Sequence, residues 1–353
     1  MLKYQKHLPY LEESLANSIV KTPLVFAKNL SNTLNTQVHL KLDSTLPFSH
    51  TFKDRGAITA ISEILNTGKN KVMCASCGNM SSAIAGVSAK AGVKCFVILS
   101  SEASIANKLS MFYTGAELFE YEGRFDVIDD LIAEFSKKYP EIACINTNLM
   151  TTYMLGLKSL YFELFEDLAE QHQAVNILVP TADGTLMYAL FLAYQDYQKE
   201  YPDIEFNPRF ILVQAKNCSP LVSAFHSNSN ITRWDDHIKT SVLSLSVDYP
   251  KLNGHNALYA VKSTNGTAIA IDEELILDSS KLLASSEGIF TDDVGGIVIG
   301  ALQELNRKKL LDNLPTICLL TGNGLKTVDK FQLSYNRENQ KYNNVDDFLN
   351  FIL

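Results

Sequence analysis

The sequence predicts an α/β protein built from parallel sheets with helical crossovers. Short apolar runs alternate with longer stretches of helical periodicity along most of the chain, and the connections between them are short. The chain has 353 residues, which is enough for a large core and favours two lobes. The expected architecture is therefore a two-lobed, doubly wound α/β fold.

Composition places the chain among globular proteins and narrows its partners. Apolar residues make up 46% and charged residues 20% of the sequence, and the formal net charge is −8. Basic clusters with interleaved aromatics are missing, so nucleic acid is not an expected partner. The apolar runs are too short for a membrane span, and the first residues lack the apolar core of a secretion signal. Six scattered cysteines then indicate reduced thiols in the cytoplasm.

The elements of the first half follow in order. Residues 1–35 are expected to form an irregular arm that ends in a short strand or turn at 22–25. Strands are expected at 38–42, 72–75, 95–99, 118–119 and 142–146. Helices are expected from residue 53 up to Gly68, and then at 82–91, 105–113 and 127–138.

The second half repeats this alternation. Helices are expected at 157–168, 186–198 and 295–310, and strands at 175–179, 210–215 and 317–320. Residues 226–267 are rich in Asn, Ser, Asp and Gly and have the weakest periodicity, so they are expected to form loops over one face.

One lysine stands at a junction between a strand and a helix. Lys53 follows the predicted strand 38–42 and begins the helical pattern, which places it at the carboxyl edge of a sheet, where ligands bind in open α/β folds. An amine that is desolvated or close to other cations loses its proton readily and can form a Schiff base. Taken alone, the residue also fits a surface lysine in a first helical turn.

Six short motifs occur along the chain, most of them in loops that follow predicted strands. They are T-F-K-D-R-G at 51–56, A-S-C-G-N at 75–79, N-L with a tyrosine at 148–153, Q-A with C-S-P at 214–220, E-G-I-F-T at 287–291 and T-G-N-G-L-K at 321–326. In this order they resemble the motifs of the fold type II pyridoxal-phosphate-dependent enzymes, the tryptophan synthase β-like family, and most closely those of the threonine synthases.

The resemblance implies a cofactor, a substrate class and a division of the chain. Pyridoxal 5'-phosphate would lie between a larger domain, residues 1–54 and 158–353, and a smaller inserted domain, residues 55–157. The substrate would be a small amino acid, and the protein would be a homodimer. The reaction implied is γ-elimination of phosphate from O-phospho-L-homoserine followed by addition of water at the β-carbon to give L-threonine.

The resemblance also assigns roles to individual residues. Lys53 would carry the cofactor and move protons, Asn79 would bind the phenolic oxygen, and Thr321 would meet the pyridine nitrogen. Four residues would lie at the cofactor phosphate: Ala182, Asp183, Gly184 and Thr185. A further group would surround the substrate, with its carboxylate at a helix N-terminus: Ser76, Cys77, Gly78, Met80, Ser81 and Tyr153.

Several of these residues also fit purely structural roles. Asn79 fits a turn residue, Ser81 fits a helix N-cap, and Thr321 fits a hydroxyl that closes a turn after a strand. Cys74 and Cys77 form a C-x-x-C, but without a second pair or a histidine cluster the sequence favours core packing for Cys74, and no metal site is expected.

Three departures from the family pattern leave the substrate open. Met150 stands where the family has an arginine, Met80 replaces a threonine or leucine, and Asp183 occupies a glycine-rich phosphate loop. A thioether cannot replace a charge-assisted pair with phosphate. One alternative is therefore elimination or replacement at the β-carbon of an unphosphorylated amino acid. Another is a degenerate homologue that binds an amino acid or a partner protein.

Overall fold

The computed structural model describes residues 1–76, 78–101, 103–122, 125–146, 150–234 and 240–332. The strands in these ranges are β1 (Leu24–Phe26), β2 (Val38–Leu42), β3 (Lys71–Ser76), β4 (Lys94–Ser100), β5 (Glu117–Tyr121), β6 (Ala143–Ile145), β7 (Ala174–Pro180), β8 (Asn207–Ala215), β9 (Thr267–Ile271) and β10 (Thr316–Leu320). The α-helices are α1 (Glu13–Ala16), α2 (Lys28–Leu34), α3 (Lys53–Asn66), α4 (Asn79–Ala91), α5 (Ile105–Tyr113), α6 (Phe125–Lys138), α7 (Thr151–Gly156), α8 (Lys158–Leu168), α9 (Thr185–Glu200), α10 (Pro220–Ser227), α11 (Lys251–Ser263), α12 (Glu274–Glu287), α13 (Asp293–Arg307) and α14 (Val328–Gln332). Short 3₁₀ helices span Leu2–His7, Asp43–Thr45, Leu243–Leu245 and Gly324–Thr327.

The strands form two separate sheets. A six-stranded sheet has the order β1-β2-β10-β7-β8-β9, and a four-stranded sheet has the order β5-β4-β3-β6. All neighbouring strands run parallel except β1, which pairs antiparallel with β2 at the edge. The predicted two-sheet α/β fold is confirmed. The domain boundaries at residues 54 and 157 stay a prediction.

Helices cover both faces of the larger sheet, as a doubly wound fold requires. Successive residues of β7 point to opposite faces, so Ile177 joins one hydrophobic cluster and Leu178 the other. The first cluster includes Leu160 of α8 and Leu190 of α9, and the second includes Ile297 of α13. The near-continuous apolar sequence of the central strands follows from this burial on two sides.

Two segments are more regular than their sequences suggest. The supposed irregular arm contains the 3₁₀ helix Leu2–His7 and helices α1 and α2. The region 226–267, expected to form loops, contains the thirteen-residue helix α11. Its polar composition hides a narrow apolar face, on which Ala257, Leu258 and Val261 pack into the core. Tertiary packing stabilises such a helix where intrinsic propensity does not.

No helix in the described ranges is both long enough and apolar enough to cross a membrane.

Candidate active site

A cavity opens where the carboxyl ends of β10 and β7 meet the N-termini of several helices. It encloses about 500 Å³ of space, which includes open solvent at its mouth. Thr321 and Thr181 directly follow these two adjacent parallel strands, so both reach the same sheet edge. The cavity is lined by Phe52, Lys53, Asn79, Pro180, Thr181, Ala182, Asp183, Gly184, Leu186, Met187, Ser244, Leu245, Val294 and Thr321.

Lys53 is the first residue of α3 and projects into this cavity. The preceding loop is held against β10, because the Phe52 N–H donates to the Thr321 carbonyl at 3.1 Å and Thr51 forms a bridge with Gly322. Burial lowers the pKa of Lys53, and the carboxylate of Asp183 opposes that shift. The Lys53 amine is therefore more easily deprotonated than an exposed lysine, as Schiff-base chemistry requires.

Asp54 shapes the same loop from the other side. Its carboxylate accepts hydrogen bonds from the backbone N–H groups of Phe48, at 2.8 Å, and Ser49, at 3.0 Å. The side chain is fully buried, and burial raises its pKa to about 6 although the hydrogen bonds from Ser49 and Phe48 oppose the change. Asp54 thus fixes the turn that places Lys53 at the start of its helix.

Asn79 and Thr321 both line the cavity. The Oδ1 atom of Asn79 is buried and has no hydrogen-bond partner among the described residues. Thr321 is 4% exposed and lines the same cavity. A buried polar atom without a hydrogen-bond partner destabilises the folded protein. The Asn79 amide at this cavity therefore indicates that a ligand binds there.

The loop assigned to the cofactor phosphate is organised by Asp183. Its Oδ1 accepts from the Thr185 N–H at 3.0 Å, and its Oδ2 accepts from the Thr185 hydroxyl at 2.6 Å. Asn253 of α11 donates to the same hydroxyl at 3.0 Å. Asp183 therefore caps α9, and Thr185 does not line the cavity while Ala182, Asp183 and Gly184 do. The unpaired N–H groups nearest the cavity are those of Leu186 and Met187 in the first helical turn.

Gly184 has a conformational reason to be glycine. Its φ is +99°, in the region that side chains disfavour, and a Cβ there would lie 2.5 Å from the carbonyl oxygen of Asn253. Helix α11 consequently packs directly against this loop. The segment with the weakest sequence pattern thus supports the loop that is predicted to bind the cofactor phosphate.

The predicted carboxylate loop lies at the start of α4. This helix begins at Asn79 with no side-chain cap on its N-terminal N–H groups, which suits an anion. The Ser76 hydroxyl accepts from the Gly78 N–H at 3.3 Å, and Gly78 has φ +147°. Met80 and Ser81 are buried, and the Ser81 hydroxyl lies 3.6 Å from the Cys74 sulfur, on the side of the sheet. Cys77 lies outside the described residues.

Tyr153 approaches the site from α7. Its side chain is fully buried, and its ring covers Gly56 of α3 so closely that a Cβ on that glycine would lie 2.9 Å from the ring. The Tyr153 hydroxyl is buried without a partner among the described residues. It does not line the cavity itself, and the N-L pair at 148–149 lies outside the described residues.

Arg55, two residues after Lys53, belongs to a buried network of four charged side chains. Arg55 forms two hydrogen bonds with Asp43, at 2.8 and 2.9 Å, and two with Glu163, at 2.7 and 2.9 Å. Lys41 donates to Glu163 at 2.7 Å. Burial opposes ionisation of Glu163, but Arg55 and Lys41 outweigh it and lower the pKa of Glu163 to about 2. Two positive and two negative groups therefore neutralise one another away from the cavity.

Two other lysines lie near the site, one in an ion pair and one with a lowered pKa. Lys158 forms an ion pair with Asp196 and also donates to the carbonyl of His7. Burial lowers the pKa of Lys326 to about 8, and Asp54 and Asp292 oppose that change. Neither Arg55 nor Lys158 is available to replace the arginine whose place Met150 takes.

Several lining residues were not identified from the sequence. Ser244 and Leu245 come from a 3₁₀ helix within the region expected to form loops, and no local pattern marks them. Val294 lies three residues after the E-G-I-F-T motif at 287–291, which could have indicated it. Cys74 is fully buried in the core, as its place on an apolar strand predicts.

Comparison with known proteins agrees with this site. The sequence profile of the family described as pyridoxal-phosphate dependent enzyme matches residues 15–322. The chain therefore belongs to the pyridoxal-phosphate-dependent enzymes, its fold is fold type II, and its cofactor is pyridoxal 5'-phosphate.

Individual relatives share less than a third of their residues with this chain. A threonine synthase of Methanocaldococcus jannaschii is 29% identical over 93% of this chain and 80% of its own length. A threonine synthase of Mycobacterium leprae is 27% identical over 92% of this chain and 88% of its own length. The crystal structure of a fungal L-serine ammonia-lyase from Rhizomucor miehei superposes with a TM-score of 0.75 at 17% identity, covering 90% of this chain and 98% of that one.

The residues present fit the cofactor. Lys53 offers an amine with a lowered pKa, Asn79 offers an unsatisfied buried polar group, Thr321 offers a hydroxyl at the cavity, and the first turn of α9 offers N–H groups for a phosphate. Asp183 is the one acidic group in the lining, and its two hydrogen bonds to Thr185 direct both of its oxygens to the helix. The carboxylate thus caps α9 while it remains at the cavity edge.

Proposed function

We propose that this chain is a lyase of the threonine synthase type, which releases phosphate from O-phospho-L-homoserine and adds water at the β-carbon to give L-threonine. The observation that carries the proposal is the position of Lys53, whose amine has a lowered pKa inside a cavity that it shares with Asn79 and Thr321. The substrate is suggested by the threonine synthases of two organisms, which align over more than nine-tenths of the chain.

The placement of the residues supports the following proposed roles. Bound pyridoxal phosphate supplies an electron-withdrawing ring next to the substrate amine. The Lys53 amine holds the cofactor and moves protons between neighbouring substrate carbons, and its lowered pKa increases the neutral fraction that can accept a proton. The Asn79 amide binds the cofactor without adding a charge. The uncapped N-terminus of α4 orients the substrate carboxylate.

Thr321 would set the character of the ring. A hydroxyl does not force protonation of a pyridine nitrogen as a carboxylate does, so the ring stays a weaker electron sink. That favours elimination and replacement at the side chain over transamination.

The test uses the protein loaded with pyridoxal phosphate and offered O-phospho-L-homoserine. Stoichiometric formation of inorganic phosphate and threonine supports the proposal, and Lys53→Ala serves as the inactive control. If the loaded protein releases no phosphate from this substrate, the threonine synthase assignment is wrong.

A second candidate is elimination of water from an unphosphorylated hydroxy amino acid. It is favoured because two nearby cations are already paired and are not available to bind a substrate phosphate. Arg55 is neutralised in its buried network, and Lys158 pairs with Asp196. Met150 packs its half-buried side chain against the core and brings no charge. This reaction predicts keto acid and ammonia from serine or threonine, which a coupled dehydrogenase assay measures.

A substitution at Met150 separates the two candidates. If the site accepts a substrate phosphate where the family has its arginine, Met150→Arg raises kcat/KM for O-phospho-L-homoserine by about tenfold or more, as expected for a charge-assisted pair. Met154→Arg is the matched control, because Met154 lies one turn along the same helix and also packs against the core. Equal effects of the two substitutions, or loss of serine dehydration alone, would support the second candidate.

A further inference from the structure

Part of the cavity lining comes from two segments that are far apart in the sequence. Ser244 and Leu245 belong to the 3₁₀ helix Leu243–Leu245, and Val294 belongs to the first turn of α13. These three residues together form the side wall of the cavity. Leu245 and Val294 also share one hydrophobic cluster. Neither segment is a strand, so pairing within a sheet does not fix their relative position.

Lys330 of α14 connects these two segments directly. Its ammonium group donates hydrogen bonds to the carbonyl oxygen of Ser241, just before the 3₁₀ helix, and to the Oδ2 atom of Asp293, next to Val294. Asp293 is 5% exposed, and its Oδ1 atom has no hydrogen-bond partner among the described residues. One ammonium group therefore balances a buried carboxylate and holds the backbone that leads into the other segment.

The other contacts of Ser241 do not reach the side wall. Its N–H group donates to the Oε2 atom of Glu273 at 2.8 Å, and Glu273 is the residue before α12. Among the described residues, α12 contributes none to the cavity lining. The contacts made by Lys330 are thus the ones that join the 3₁₀ helix to the start of α13.

Lys330 reaches this position through the segment that follows β10. Thr321 of that segment lines the cavity, and Lys330 lies nine residues further along. Between them, Asn323 forms an isolated bridge with Thr291, three residues before Val294. The segment that presents Thr321 to the cavity is therefore fastened to the start of α13 and also fastens the side wall.

We propose that Lys330 is a positioning residue, which holds the 3₁₀ helix Leu243–Leu245 against the start of α13 and so keeps the side wall in place for pyridoxal 5'-phosphate. Lys330 does not line the cavity, so it acts through the residues that it fastens. A wall that is already ordered spares the cofactor the entropic cost of ordering it on binding. The inference concerns the cofactor and does not depend on the substrate of the enzyme.

Two variants separate this role from simple charge balance. Lys330→Met removes the link to Ser241 and also leaves Asp293 as an unpaired buried charge, which destabilises the fold. Lys330→Met/Asp293→Asn removes both charges, so it relieves the charge imbalance without restoring the link. Lys330→Arg keeps a cation with several donors and is the rescue variant. Lys308→Met is the control, because that lysine is exposed and lies 3.9 Å from Glu304 near the other end of α13.

Cofactor affinity and local opening are both measured on the full-length chain. Visible-absorbance titration of the stripped protein gives the Kd for pyridoxal phosphate, and hydrogen exchange reports on the backbone amides of residues 241–246. We expect both Lys330→Met variants to bind the cofactor about tenfold more weakly and to exchange at 241–246 about tenfold faster than the wild type, the size expected for losing a charge-assisted hydrogen bond. The Lys330→Arg and Lys308→Met variants should resemble the wild type.

Thermal unfolding of the same variants distinguishes the outcomes. Weak cofactor binding and fast exchange at 241–246 in the double variant, at a melting temperature close to that of the wild type, support the proposal. If the double variant regains wild-type cofactor affinity together with its stability, Lys330 only balances the charge of Asp293 and the proposal is wrong. Unchanged exchange at 241–246 in Lys330→Met would also overturn it.

Discussion

Replacing Asp292 with asparagine is expected to stabilise the protein at neutral pH. Asp292 is the N-cap of α13, and its Oδ1 accepts a hydrogen bond from the Gly295 N–H at 2.9 Å. It is 1% exposed, and a Cβ on Gly322 would lie 1.9 Å from its Oδ2 atom. Burial, with the adjacent Asp293, raises the pKa of Asp292 from 3.8 to about 7. Asparagine keeps the capping oxygen and cannot ionise.

The sign and size of the effect follow from proton linkage. Because the folded pKa lies above the unfolded one, the folded protein keeps this proton between about pH 4 and 7 while the unfolded chain releases it. Stability therefore falls as pH rises through this window. At 1.36 kcal/mol for each pKa unit, a rise from 3.8 to about 7 corresponds to about 4 kcal/mol, taken as an upper bound. Asp292→Asn removes this decrease in stability, because asparagine does not ionise.

Calorimetric unfolding of the wild type and Asp292→Asn across pH 4.5 to 8 measures the difference. We expect the gain in stability to be small at the acidic end and to grow to a few kcal/mol at pH 8. Asp278→Asn, an exposed substitution on α12, is the control and should show no such trend. A gain that does not vary with pH, or a less stable variant at pH 8, would mean that Asp292 is ionised and stabilised by a nearby cation such as Lys326.

Three further outcomes are expected at the site and its support. Lys53→Ala should lose covalent retention of pyridoxal phosphate, measured as the disappearance of the visible absorbance band and of the mass increase after borohydride reduction. Asp183→Asn should bind pyridoxal phosphate more tightly and lower the pKa of Lys53, because the carboxylate that raises that pKa is gone while the α9 cap is kept. A spectral titration with cofactor at several pH values measures both, and weaker binding would contradict the repulsion between Asp183 and the phosphate. Glu163→Gln leaves Arg55 and Lys41 short of a buried negative charge and should cost about 3–5 kcal/mol in urea unfolding. A loss below about 1 kcal/mol, the size typical of a surface pair, would mean that water reaches this network.

Asp183 illustrates how the structure changes the interpretation of a substitution. In the sequence it is a carboxylate in a loop that should bind phosphate, and it therefore suggested a weakened site. In the structure its two oxygens both accept hydrogen bonds from Thr185 at the start of α9. A carboxylate next to the start of a helix stabilises it through the unpaired N–H groups and the helix dipole, and Asp183 directly precedes the N-cap Gly184. The loop is thus well formed, and Asp183 leaves one negative charge in the lining of the cavity.

Much of the fold could be predicted from the sequence because its signals are local. The strands β7, β8 and β10 are apolar runs bounded by polar turns, and the helix that begins at Lys53 has regular apolar spacing up to its stop at Gly68. Parallel strands linked by helices bring their following loops to one edge of a sheet. Lys53 and Thr321 follow strands of the larger sheet, so this rule predicts that they lie near one another, whereas Asn79 follows β3 of the smaller sheet and only the family resemblance placed it beside them.

Only the tertiary structure decided which polar groups are available for chemistry. The sequence does not show which partners Arg55 and Lys158 have, and in the structure long-range contacts with Glu163 and Asp196 neutralise them. Helix α11 and the lining residue Ser244 come from a segment without periodicity, because their contacts are with elements far away in the chain. Periodicity reports the face that an element buries, whereas charge pairing and cavity walls depend on neighbours brought together from distant positions. For this reason the sequence determined the fold and the cofactor, and the packing of the folded chain decided the charge balance of the site.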